Sequence, residues 1–201
     1  MINISASLQS RYAEPWRHYH TVQHIYAMFA ELDHSGITPQ DRDAVELAIQ
    51  YHDAVYDPMS HNNEQRSAEL MKFEQLGRVD LYPLEIQDKA WSMIMMTRHT
   101  CMPHDTNQRL VCDLDLAILG KAPEVFQEYE HQIRKEYQWV EKTAYGLARA
   151  VILRGFLARP FIYGTEYFRA RYEQLAKINL AWSIRQLDTC EFLGGNLEMH
   201  V

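Results

Sequence analysis

The sequence predicts an all-helical fold, and three observations carry that expectation. Apolar residues recur at intervals of three and four along most of the chain, which is the period of one face of an amphipathic helix. Only 8 Gly and 7 Pro occur in 201 residues, too few for the many turns of a β-sandwich or barrel. The one short apolar run that would suit a buried strand, Leu110 to Leu119, has more Leu and Ala than β-branched residues, which favours helix. The expected architecture is a single compact helical bundle over residues 1–201, long enough to bury a sizeable core, with a loose tail from about residue 193.

The elements follow in order. Residues 1–15 read as a short helix or lead-in ending at Glu14-Pro15. Pro15 suits the first position of a helix, so the next helix is expected from about 16 to 33. His20, His24, Met28 and Leu32 recur on it every four residues, and Ser35-Gly36 stops it. Thr38-Pro39-Gln40-Asp41 resembles a cap with Pro and acids in the first turn. The helix it starts carries Val45, Ala48, Ile49, His52 and Tyr56 at helical spacing, with Asp53 beside His52, and Asp57-Pro58 ends the pattern. After a polar loop a helix is expected from about 63 to 77, carrying Glu64 and ending at Gly77. Pro83 opens another that reaches His99. Leu110 to Leu119 is the next, stopped by Gly120. Pro123 begins a helix expected to run, with a break near Lys142-Thr143, to Arg159-Pro160. The last spans about 165–188.

Composition limits the function. A net charge of −7 gives no reason to expect nucleic-acid binding. Three cysteines without a CxxC pair predict reduced thiols in a cytoplasmic protein. Met1 to Ser10 lacks a basic segment and a long apolar core, so no secretory signal is expected, and no apolar run approaches the roughly 20 residues of a membrane span. Eight of the 10 histidines fall within the first 104 residues, which is where chemistry is to be sought.

Acids and imidazoles on the apolar faces of three helices are costly to bury unless they pair, hydrogen-bond or bind a metal. His20 and His24, four apart, would stack on one face. His52 and Asp53 follow on the second helix, and Asp113 and Asp115 lie among Leu, Val, Ile and Ala. A divalent cation would neutralise the carboxylates and accept the imidazoles, and mixed His/Asp donors suit first-row metals. Each piece also has a plainer explanation: surface histidines, a helix end with a solvated Asp, a capping or Arg-paired Asp113. Their joint occurrence is what these explanations account for least well, and spacing alone leaves the metal site and the plainer readings evenly matched.

A His on an early helix, a His-Asp pair on the next and a distant Asp resemble the HD-domain superfamily of metal-dependent phosphohydrolases. Tyr19-His20-Thr21-Val22-Gln23-His24 is similar to a segment of cyclic nucleotide phosphodiesterases in which Tyr-His-Asn precedes a second His. There the first His donates a proton and the second binds metal. His52-Asp53-Ala54-Val55-Tyr56-Asp57, followed by Asn62-Asn63-Glu64, is similar to a group of uncharacterised bacterial proteins predicted to be phosphohydrolases of this superfamily. So are Arg17-His18-Tyr19-His20, the run from Asp113 to Gly120, Arg154-Gly155-Phe156-Leu157 to Ile162-Tyr163, and Ala176 to Leu180. The similarity covers nearly the whole chain and is specific for fold and metal rather than substrate. Thr21 replaces the Asn of the phosphodiesterases, and their glutamine-and-aromatic clamp has no counterpart, so the resemblance does not extend to cyclic-nucleotide specificity.

The resemblance implies that His24, His52 and Asp53 are metal ligands, with a carboxylate from the Asp113/Asp115 pair completing the set. Asp115 is preferred because an apolar turn, Leu116-Ala117, follows it directly, and Asp113 is its rival. His20 would be the general acid for the leaving oxygen, since an imidazole switches charge near neutral pH. Glu64 would orient the attacking water, although a first-turn Glu is also favoured by the helix dipole alone. Arg66, Arg98 and Arg17 are cationic candidates for a phosphate, against the plainer reading of exposed salt bridges. His99 and His61 are candidates for a second metal or for substrate, whereas His104, in a Pro-containing loop, reads as solvent-exposed.

The leading functional expectation is a phosphohydrolase that cleaves a phosphoester of a small phosphorylated compound, a nucleotide among the candidates, by a metal-activated water. The donor types do not separate Mg, Mn, Fe, Co, Ni and Zn. The alternatives are a di-iron oxygenase of the HD type, and a non-catalytic module that binds a metal or ligand.

Overall fold

A computed structural model describes residues 4–78 and 80–193, with side chains described as far as Thr189. The expected loose tail beyond 193 lies outside the described residues. All regular structure among the described residues is helical, as the sequence predicts. The chain divides into two compact units, Met1–Ala117 and Ile118–Val201.

The first unit holds α1 (Ala6–Tyr12), α2 (Val22–Ser35), α3 (Arg42–Tyr51), α4 (Asn63–Glu74), α5 (Leu84–Met96) and α6 (Thr106–Asp115). Helix α3 is central and packs against α2, α4, α5 and α6. Its Ala44, Val45, Leu47, Ala48, Ile49 and Tyr51 are all buried, so it is apolar on more than one side, as a helix surrounded by others must be. Small Ala44 and Ala48 suit close approach at such a crossing. Side chains set several helix starts: the Thr21 hydroxyl accepts from the Gln23 amide and the Asp105 carboxylate from the Gln108 amide. Gly36 ends α2 in the left-handed conformation at φ 64°, which a glycine adopts without penalty.

The structure corrects three boundaries that matter for the site. Helix α2 begins at Val22, not near residue 16, so His20 lies in the bend before the helix and does not stack above His24 on one face. The cause is Arg17, whose buried guanidinium donates to the carbonyls of His20 (3.0 Å), Asp53 (2.7 Å) and Ala54 (3.3 Å) and pairs with Glu14. Those bonds hold residues 14–20 in a non-helical path. Helix α3 stops at Tyr51, leaving His52 as its C-terminal cap and Asp53 in the following turn. Helix α5 stops at Met96, and His99 lies beyond it at φ 56°, an uncommon conformation for a residue with a side chain.

The second unit holds α7 (Pro123–Glu136), α8 (Lys142–Leu157) and α9 (Glu166–Leu193). The apolar run from Leu110 is only partly α-helical. After Asp115 it tightens into a 3₁₀ turn over Leu116–Gly120, the usual form of a constrained helix end. A Cβ on Gly120 would lie 2.5 Å from the Tyr172 Cβ, so only glycine permits that approach to α9. Asn179 fastens it by donating to the carbonyls of Leu119 and Lys121, each at 2.9 Å. The break expected near Lys142 falls at 137–141, and the Glu141 carboxylate restarts the helix by accepting from the Thr143 and Ala144 amides. Among the described residues no helix is long and apolar enough to cross a membrane.

Candidate metal centre

Three histidines and two aspartates meet in the first unit. His24 belongs to the buried face of α2 with Ile25, Met28 and Phe29. His52 is carried to the same place by the end of α3, and Asp115 by the last residue of α6. Donor atoms of His24, His52 and Asp115 all lie within 4.8 Å of one another. The His24 Nε2 is 3.1 Å from Asp115 Oδ1 and 3.2 Å from His52 Nε2. Asp53 Oδ2 is 3.0 Å from His52 Nε2 and 3.9 Å from His24 Nε2. On the other side of the Asp115 carboxylate, Oδ2 is 2.8 Å from His99 Nε2.

These spacings fit a common cation. Ligand atoms about 2.1 Å from one ion stand roughly 3 Å apart when they are neighbours in an octahedral shell. The donor chemistry agrees, since imidazole and carboxylate together suit first-row divalent metals. The orientation of His52 points the same way. Its Nδ1 is 3.0 Å from the Ile49 carbonyl, which only accepts, so Nδ1 carries a proton and Nε2 is left facing the carboxylates.

The same groups also neutralise one another. Burial pushes the His52 imidazole down, but the charges and hydrogen bonds of Asp53 and Asp115 outweigh it and raise its pKa well above the ordinary value. Burial likewise pushes both carboxylates up. His52 and His20 reverse this for Asp53, and hydrogen bonds from His24, His52 and His99 do so for Asp115, so both stay ionised.

His20 stands at the edge of the cluster. Its ring stacks on Tyr56 with centroids 4.3 Å apart and lies 6.3 Å from the ring of His24. Asp113 is buried at 1 % exposure but is not one of the three residues whose donors converge. Two residues along a helix is a rotation of about 200°, so Asp113 and Asp115 project from opposite sides of α6.

Glu64, in the first turn of α4, pairs with Arg98, whose Nε is 3.3 Å from Glu64 Oε2. Arg98 also donates to the His61 carbonyl at 2.6 Å. These three form a clasp between the start of α4 and the segment leading to His99, with the His61 side chain exposed. Arg66 and His104 are exposed as well. Arg17 is completely buried in its carbonyl contacts, which corrects the expectation that it could meet a phosphate.

The positioning roles of Tyr56, Ser67 and Asn63 are not legible in the sequence, although Tyr56 and Asn63 lie within its motifs. Tyr56 supports His20. Ser67 binds both the amide and the carbonyl of Val55, at 3.0 and 3.2 Å. Asn63 does the same for Asp57, at 3.1 and 2.8 Å, and so steadies the loop after the His-Asp pair. Such contacts depend on which loop lies beside which helix, and residue spacing along the chain does not encode that.

No family model, no curated protein and no solved structure matches the chain.

Proposed function

We propose that this protein is a cytoplasmic, metal-dependent phosphohydrolase of the HD type, acting on a phosphoester of a small phosphorylated compound such as a nucleotide. The observation that carries the reading is the convergence of His24, His52 and Asp115 donors within 4.8 Å, with Asp53 Oδ2 3.0 Å from His52 Nε2. His24, His52, Asp53 and Asp115 would hold the ion. When bound, a divalent cation supplies an acidified water and polarises a phosphoryl oxygen. His20 is the proton donor to the leaving oxygen in this reading. Its ring is kept in orientation by Tyr56, and in this reading it stays outside the ligand set and acts as the general acid. Glu64 orients water or, through Arg98, steadies the approach to the site. Cys101 and Cys112 form no disulfide among the described residues, which suits a reducing compartment.

A second reading, a di-iron oxygenase, is favoured by one feature. Asp115 faces His24 with one oxygen and His99 with the other, as a carboxylate shared by two ions would.

Elemental analysis of protein purified without chelator, paired with phosphate release from a phosphomonoester and a nucleotide panel, separates these readings. About one equivalent of divalent metal with metal-dependent turnover is expected. Two equivalents of iron with oxygen consumption and no phosphate release would move the assignment to the oxygenase. Failure to bind any metal under loading would leave a non-catalytic module.

A further inference from the structure

Within residues 118–201, side chains of α7, the start of α8 and α9 line a cavity of about 460 Å³, the size range of sites that enclose small organic ligands. Two features of its wall are unusual for a protein interior. The Tyr145 side chain is 9 % exposed, yet its buried hydroxyl has no hydrogen-bond partner, a state that native structures rarely leave uncompensated. The neighbouring Gly146 is buried in the body of α8, and a Cβ placed on it would meet nothing within 4 Å. A glycine there weakens the helix while keeping space open.

The charges around the cavity are unequally committed. Glu130 is neutralised by Arg149 and accepts from Ser183. Glu141 is occupied by the Thr143 and Ala144 amides. Arg134 lies over the Tyr145 ring at 4.7 Å and donates to the carbonyls of Tyr137 and Val140, which uses two of its five N–H groups. Lys142 makes no ion pair among the described residues. The uncommitted charge is therefore positive, in a chain whose net charge is −7.

We propose that this cavity binds a small amphipathic anion, with a flat apolar body against Tyr145 and Trp182, an oxygen that accepts the Tyr145 proton, and an anionic oxygen group beside Arg134 and Lys142. The site belongs to the second unit alone and stands or falls independently of the metal centre.

Calorimetric titration of the full-length protein with 1-naphthoate tests it, alongside neutral 1-naphthylmethanol and the non-hydrolysable 1-naphthylphosphonate. Saturable one-to-one binding of an anionic probe is expected, at least about ten-fold tighter than the neutral alcohol. The preferred anion tells a carboxylate ligand from a phosphate one. Gly146→Leu, which fills the space, should abolish binding while keeping or raising the melting temperature. Tyr145→Phe should weaken binding about three- to ten-fold. No saturable binding, equal binding of the alcohol, or full affinity in a folded Gly146→Leu protein would each overturn the proposal. If Gly146→Leu fails to fold, unchanged affinity in Tyr145→Phe overturns it instead.

Discussion

The Nε2 of His24 lies 3.1 Å from Oδ1 of Asp115, although 91 residues separate them in the chain. One residue comes from the first turn of α2, where its buried face begins, and the other from the last position of α6. Each is costly to bury alone and is compensated by the other.

That relationship favours Asp115 over Asp113 in the proposed ligand set. Asp115→Asn should cut metal content to below about a tenth of wild type, since even partners one step removed from a metal are worth about 10–100-fold in affinity. Asp113→Asn should retain metal and lower the melting temperature, because it alters a buried polar group outside the cluster. Elemental analysis of both variants checks this, and the opposite pattern would reinstate Asp113.

His20→Ala should slow phosphoester hydrolysis about 10²–10⁴-fold, the usual worth of a general acid, with metal content close to wild type. A pH profile of the activity adds a second readout, in which the ionisation assigned to the acid should disappear. Loss of metal in this variant would make His20 a ligand.

Arg17→Met should destabilise the fold by about 3 kcal/mol. It removes a buried guanidinium from three carbonyls and leaves Glu14 without its partner. Because two of those carbonyls belong to Asp53 and Ala54, metal affinity should fall with stability. Urea unfolding and a metal titration read the two effects. Unchanged values in both would show that the Arg17 contacts do not position the turn.

The stability of the metal-free protein should depend on pH on both sides. His52 has a raised folded pKa, so its contribution is complete below the unfolded value of about 6.5 and is lost as the pH rises through the folded value. Asp53 and Asp115 have lowered folded values, so their contributions are complete above about 3.9 and are lost on acidification. The melting temperature of chelator-treated protein should be highest between about pH 4 and 6.5. Added metal should remove the decline on the alkaline side, because it replaces the proton shared by the cluster. A flat profile without metal would contradict this account.

Much of the fold was determined by sequence alone. The 3.6-residue period, scarce glycine and proline, and punctuation at Gly36, Pro83 and Pro123 predict helices close to where α2 to α9 lie, because amphipathic helices write their buried face locally into the chain. The concentration of histidine and aspartate on apolar faces likewise marked His24, His52 and Asp53, since buried charge demands a partner. Tertiary structure decided what local pattern does not encode. His20 reads as one turn before His24 on the same helix, yet Arg17 bonds to the Asp53-Ala54 turn and pulls it off that helix. Asp113 and Asp115 share similar apolar neighbours in sequence, and only the packing of α6 against α2 and α3 turns Asp115 toward the two imidazoles. Helix periodicity specifies which face is buried, whereas the meeting of side chains from three helices depends on where each helix ends and which neighbour it crosses.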